Sequence, residues 1–200
     1  MIAQRPRPAR DTAVLILAAG GSRRLGRPKQ LLRCGPEPLV RRAARIALAL
    51  APLWVGVVVG ARRGEVAAAL QGSGAAIVVA RGWREGLAAS LRAGVARAPR
   101  RARQLLVMTV DQWRLRETDL ARLVAAAGRR PAAAAYGGQL GVPALFPRRL
   151  WPALSRLRGD RGARQLLERG AARAVPMPRA AADLDTPREL AAFRAGARGR

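Results

Sequence analysis

The chain opens its ordered pattern with Thr12 to Ala19, TAVLILAA, a continuous apolar run rich in branched residues that stops at Gly20-Gly21. Such a run predicts a strand covered on both faces. Leu39 to Leu50 then carries apolar residues at helical spacing, with Arg41, Arg42 and Arg45 free to face water. The alternation repeats. Strands are predicted over Leu53 to Val59, Ala75 to Val79 and Gln104 to Val110, the last ending at Asp111. Helices are predicted over Glu65 to Leu70, Arg84 to Ala98 (with Gly86 and Gly94 as weak points) and Glu117 to Ala127, closed by Gly128. Strand–helix alternation of this kind implies a Rossmann-like α/β fold: a mostly parallel sheet with helices on both faces.

After Pro131 the period changes. Ala132 to Tyr136 and Val142 to Phe146 flank Gly137-Gly138-Gln139 and predict a small antiparallel pair at a sheet edge. Helices follow around Pro152 to Leu157 and Ala163 to Glu168, then a short strand at Arg173 to Val175. Thr186 can cap a final helix to about Phe193, with Pro187 in its first turn and Glu189 three residues after the cap. Residues 1–10 are expected to form a flexible basic tail, and 11–200 one domain.

Composition changes this picture little, despite a net charge of +26. All but one of the 38 basic residues are arginine, dispersed through loops and helix faces and often alternating with alanine. No series of aromatic stacking residues accompanies them and no zinc-finger spacing occurs, so compositional bias is favoured over specific nucleic-acid binding. Histidine is absent, which excludes histidine-dependent triads and histidine metal sites. Cys34 is the only cysteine and is expected to be a small buried or half-buried residue. No apolar run approaches a membrane span and the first residues do not read as a secretory signal, so the expectation is a cytoplasmic protein, monomeric or weakly oligomeric.

The candidate chemistry starts at the first turn, Leu17-Ala18-Ala19-Gly20-Gly21-Ser22-Arg23-Arg24-Leu25-Gly26-Arg27-Pro28-Lys29-Gln30. Glycines after a first parallel strand let backbone N–H groups approach phosphate oxygens, and Arg24 and Lys29 add charge against a triphosphate. The dinucleotide Gly-x-Gly-x-x-Gly register is missing. Gly21 and Gly26 have P-loop separation but are followed by Arg27 and Pro28, which excludes a P-loop. Lys29 is the single lysine in an arginine-saturated chain, as though a compact ammonium were needed there. Acidic residues number only 12. Asp111, at the end of its strand, is either a turn cap or a ligand that shares magnesium with substrate phosphates. Asp183 and Asp185 precede a helix and read equally as metal ligands or caps. Asp160, with Arg161 beside it, either caps a helix or faces substrate.

The run Leu17 to Leu32 resembles the signature of the MobA-like nucleotidyltransferases. Its Arg27-Pro28-Lys29-Gln30-Leu31-Leu32 ending is most similar to the molybdenum cofactor cytidylyltransferase branch. Trp83 to Ser90, Val110 to Gln112, Gly159 to Ala163 and Asp183 to Pro187 carry the resemblance along nearly the whole chain. It implies a magnesium-dependent enzyme that moves a nucleoside monophosphate, CMP from CTP, onto a phosphorylated acceptor such as molybdopterin and releases pyrophosphate. Carried over, Arg24 and Lys29 bind the triphosphate, and Asp111 and Asp183 hold magnesium. Leu17 to Ser22 line the nucleotide, Trp83 and Ser90 lie near base and acceptor, and Asp160, Arg161 and Asp185 belong to the acceptor side. The chain departs from the family pattern at Ala80, Arg81, Trp113 and Val142, expected around the acceptor. A sugar phosphate or alcohol phosphate acceptor is the alternative within the same chemistry. A non-catalytic partner of a molybdoenzyme, or a basic nucleic-acid binder, is the alternative outside it.

Overall fold

The computed structural model describes residues 9–126, 128–160 and 163–197. The first strand, β1 (Thr12–Leu17), is buried along its whole length. Val14 and Ile16 face one hydrophobic layer, and Ala13, Leu15 and Leu17 the other. Burial on both faces is why this segment carries no polar alternation. Leu15 and Ile16 are fully buried, worth about 1.5–3 kcal/mol each in apolar transfer.

A two-residue hairpin, β2 (Arg33–Cys34) and β3 (Glu37–Pro38), leads into helix α1 (Leu39–Leu48). There follow β4 (Trp54–Val59), α2 (Arg63–Ala69), β5 (Ala76–Val79), α3 (Leu87–Arg97), β6 (Gln104–Thr109) and α4 (Glu117–Ala125). The second half contributes β7 (Ala132–Tyr136), β8 (Gln139–Pro147), α5 (Trp151–Ser155), α6 (Arg164–Arg169), β9 (Arg173–Pro176) and α7 (Pro187–Ala197). Side chains of α1, α2, α4 and α7 cover one face of the sheet, and those of α3, α5 and α6 the other. Cys34 is buried, as expected of a small residue there.

The main sheet has the order β5-β4-β1-β6-β8-β7-β9. β5, β4, β1 and β6 pair in parallel, β8 pairs antiparallel with both β6 and β7, and β9 runs parallel to β7. The expected antiparallel pair is therefore present but built into the sheet: β8 lies against β6, and β9 is outermost. Because β8 alone is reversed, β1, β6, β7 and β9 all finish at the same edge. The chain moves outward from β1 to β4 and β5, then crosses to β6 on the other side of β1. The switch point of the sheet is thus between β1 and β6, where such folds open a ligand crevice.

The helix expected from Arg84 begins later. Trp83–Glu85 form a separate 3-10 turn, and Gly86, at φ 114°, breaks the path before α3. A side chain on Gly86 would meet Asp160 Oδ1 at 2.5 Å. Gly94 is no weak point either: any side chain there would overlap Leu15, so it sets how closely α3 approaches the sheet. Ala9 is already buried and its N–H donates to the Leu50 carbonyl at 3.2 Å, inside the segment read as a tail. The remainder of that segment, residues 1–8, lies outside the described residues.

Candidate active site

The turn after β1 is held by side chains as much as by glycines. Ala18 N–H donates to Val58 O at 2.9 Å, and Ala61 N–H to Ala19 O at 3.0 Å. Gln30 is buried, and its Nε2 donates to the carbonyls of Ala18 (2.8 Å) and Gly20 (2.6 Å). Ser22, in the left-handed region at φ 51°, accepts the Lys29 N–H on its Oγ at 3.1 Å. With two loop carbonyls committed to Gln30, the path of Gly20 and Gly21 is fixed before any ligand arrives. A cavity of about 190 Å³ borders Gly20, Gly21, Ser22 and Arg62. A larger one of about 560 Å³, which shares Ala61 and Arg62, extends past Gly60, Arg81 and Trp83.

Across the switch point the charged groups converge. Lys29 Nζ lies 2.5 Å from Asp111 Oδ2 and 2.7 Å from Asp185 Oδ1. Asp185 also accepts from Arg24 at 2.8 Å. Lys29 is only 17% exposed and Asp111 12%, whereas Arg24 is 74% exposed. The Lys29 pairing is therefore the consequential one, and the Arg24 pair is a screened surface contact. Burial works to lower the Lys29 pKa, but the charge and hydrogen bond of Asp111, then those of Asp185, carry it above its ordinary value. For Asp185, burial is outweighed by Lys29 and then Arg24, so its carboxyl stays below the usual range.

Asp183 behaves oppositely. Partial desolvation, then the negative charges of Asp111, Glu189 and Asp185, hold its carboxyl above the ordinary carboxylate value. Two carboxylates thus crowd one corner of the crevice, a field that a cation relieves. Asp111 and Asp183 offer the hard oxygen donors that magnesium prefers. Among the described residues no group of three or more acidic or thiol side chains is placed to hold a metal. Two carboxylates with phosphate and water in the other positions is the usual magnesium arrangement, so the residues fit. The segment is fixed by a capping box at α7: Glu189 Oε2 accepts the N–H groups of Asp185 and Thr186 at 2.7 Å each, and Thr186 Oγ1 accepts Glu189 N–H at 3.3 Å.

The structure sorts the remaining residues. Asp185 joins Lys29 and Arg24, because α7 packs against the Arg23–Leu25 turn. Trp83 packs beside Gly21 and over Gly60, where added side chains would reach its ring at 3.5 and 2.6 Å. Ser90 is buried within α3. Leu17 ends β1 and borders a different, apolar cavity of about 300 Å³ with Thr109, Tyr136 and Val142. Asp160 lies over Gly86 at the start of α3, where a carboxylate complements the helix end. Arg161 lies outside the described residues. Trp113 is buried edge-on against Phe193, with ring centroids 5.1 Å apart, because the chain turns inward after Asp111. Ala80 and Arg81 border the Trp83 cavity, leaving Val142 alone of the four departures at the second cavity.

Sequence reasoning gave no role to Gln30, Gln112 or Tyr136. Gln112 Nε2 donates to Val142 O (2.7 Å) and Ala180 O (3.0 Å), and Tyr136 donates to the same Val142 carbonyl at 3.2 Å. The only signal was position: each glutamine directly follows a candidate site residue.

A glycine turn after β1, with its lysine held by carboxylates that follow β6 and precede α7, stands at the switch point of a mostly parallel sheet, where nucleotide-binding α/β proteins take their ligands. Residues 14–175 match the MobA-like NTP transferase domain, and the chain belongs to that family. A 44-residue stretch is 52% identical to a probable molybdenum cofactor guanylyltransferase of Synechococcus elongatus, covering 22% of this chain and 23% of that protein. Among solved structures, Rv0371c from Mycobacterium tuberculosis H37Rv superposes with TM-score 0.82 at 29% identity, over 92% of this chain and 97% of that one. The same protein in complex with manganese gives TM-score 0.75 at 27% identity, over 92% and 98%. No helix among the described residues is long and apolar enough to cross a membrane.

Proposed function

We propose that this protein transfers a nucleoside monophosphate from a nucleoside triphosphate to a phosphorylated small-molecule acceptor and releases pyrophosphate. The observation that carries this reading is Lys29, which is bonded to the glycine turn through Ser22 and held between Asp111 and Asp185. In this reading the Gly20–Ser22 backbone and Lys29 bind the triphosphate, with Arg24 at the rim. Trp83 and the cavity beside it take the nucleoside. The acceptor body occupies the apolar cavity between Leu17, Thr109 and Tyr136, with Ser90 of α3 packed behind its wall. Asp160 is then a remote support of the α3 end. The domain comprises residues 11–200.

An acceptor phosphate monoester has its second pKa near 6 and is largely dianionic at neutral pH. Its oxygen attacks the α-phosphorus in line, and the bond to the bridging oxygen of pyrophosphate breaks. No proton has to be removed, which suits a chain without histidine. Lys29 and the loop amides stabilise charge gathering on pyrophosphate, and positioning supplies much of the remainder. Asp111 and Asp183 would hold magnesium together with the triphosphate, and the bound ion would supply charge neutralisation at phosphorus. The manganese complex of Rv0371c supports a divalent cation for this chain too.

The acceptor class is broader than one compound: molybdopterin, a sugar phosphate or an alcohol phosphate. The Arg27 to Leu32 resemblance supports CTP with molybdopterin, whereas the Synechococcus relative's name supports GTP. Pyrophosphate release from purified protein tests this, with each of the four ribonucleoside triphosphates, magnesium, and molybdopterin, a hexose 1-phosphate or a polyol phosphate. Acceptor-dependent release with one triphosphate is the expected result. A folded protein that binds no triphosphate in magnesium sinks the proposal.

A further inference from the structure

Gln112 is 6% exposed and directly follows Asp111 at the end of β6. Its single amide nitrogen reaches two distant segments: Val142 of β8, and Ala180 in the turn that leads to Asp183. Both partners are carbonyls and can only accept, so the amide nitrogen must face them. The Oε1 atom is buried without a hydrogen-bond partner among the described residues. An aliphatic side chain of similar size would leave the Ala180 carbonyl without this donor, and leaving a buried acceptor unpaired costs about 1–3 kcal/mol. What the glutamine achieves is geometric. One side chain fixes the backbone three residues before Asp183 to the backbone that carries Asp111. Through Val142 it also ties in Tyr136 at the end of β7.

We infer that Gln112 is a positioning residue that sets the placement of Asp183 relative to Asp111, and through it the affinity for a divalent cation. The inference rests on the proposed function for the identity of the two carboxylates as cation ligands. Gln30 provides an internal comparison. It has the same construction, one buried amide nitrogen on two carbonyls and a buried Oε1 without a partner among the described residues, but it braces the glycine turn. The two glutamines are predicted to separate cation binding from nucleotide binding.

The test uses Mn2+ as probe, titrated by electron paramagnetic resonance in the presence of non-hydrolysable CTP and GTP analogues. Gln112→Met removes both donors without adding charge. Gln112→Glu removes them and sets a carboxylate against two carbonyls. Outer-shell changes of this kind weaken metal affinity by about 10–100-fold. The expectation is a loss of at least about tenfold in Mn2+ affinity, with analogue affinity in the absence of metal nearly unchanged. Gln30→Met should show the reverse split. Circular dichroism and thermal unfolding establish that each variant is folded. Should Gln112→Met fail to fold, Gln112→Asn, one methylene shorter, is measured against the same threshold. Folded variants with wild-type Mn2+ affinity overturn the inference, as does a wild-type protein that binds no Mn2+. Wild-type protein that binds Mn2+ but releases no pyrophosphate with any substrate pair counts against the transfer reaction instead, and the Gln112 comparison still decides this inference.

Discussion

The two sides of the sheet are built differently. On the β5-β4-β1-β6 side, polar groups follow directly from strand ends. The glycine turn continues β1, Asp111 follows β6 by two residues, and each strand pairs with its neighbours in parallel register. Between that side and the chain beyond β8, the groups at the crevice are assembled from segments far apart in sequence and held by side-chain bonds. Lys29 and Asp185 meet across 156 positions, and Gln112 and Ala180 across 68. The first construction makes the glycine turn part of the fold's topology. The second leaves the Asp111, Asp183 and Asp185 corner with a geometry that rests on a few side-chain bonds.

The largest effect is expected at the seam between the two sides. Asp111→Asn keeps the shape but removes the charge, and turnover should fall on the order of 10²–10³-fold, the scale of losing one preorganised electrostatic group. Magnesium-dependent pyrophosphate release measures it, with circular dichroism as control. Activity near wild type would mean the seam is structural only. Lys29→Ala should cost somewhat less, about 10²-fold, and Lys29→Arg should not restore it, because a planar fork cannot replace a compact ammonium between two carboxylates. Full recovery with arginine would show that charge alone matters there.

Gly86→Ala should act on stability. It places a side chain at positive φ and against Asp160, costing about 1–3 kcal/mol, read from urea unfolding midpoints. A neutral result would mean that the Asp160 loop yields freely and does not brace the end of α3.

The smallest effect concerns pH. The folded Asp185 pKa is depressed, so its contribution to stability is present above the ordinary carboxylate value and is lost as pH falls through the depressed one. The folded Lys29 pKa is raised, so its contribution is present below 10.5 and lost only as pH rises through the raised value. The pairing therefore persists across the neutral range. Asp185→Asn should flatten the acid limb of the melting temperature by the equivalent of less than about 1 kcal/mol, since the group is partly exposed and screened. An unchanged acid limb would detach Asp185 from the Lys29 cluster in solution.

Much of this was legible along the chain. The unbroken apolar run of β1, the Gly20-Gly21 turn, the lone Lys29 and the Thr186–Glu189 capping box are local patterns, and local patterns report local physics. The start of α3 differs from the helix predicted over Arg84 to Ala98: Gly86 is legible as a weak point, but its positive φ and its close approach to Asp160 show that the helix begins only after it. The departure from the family pattern at Trp113 does not reveal its surroundings: it lies in the core because the chain turns inward there and Phe193 receives it.

The sequence by itself determined the α/β class, the glycine-rich turn after the first strand and the family, because periodicity and short motifs are carried by neighbours along the chain. Only the tertiary structure decided that Asp185 shares Lys29 with Asp111, that β8 reverses inside the sheet, and that Gln112 links Asp111 to the approach to Asp183. Those facts depend on hydrogen bonds and charges between residues tens to more than a hundred positions apart, a separation at which spacing along the chain carries no information about distance in space.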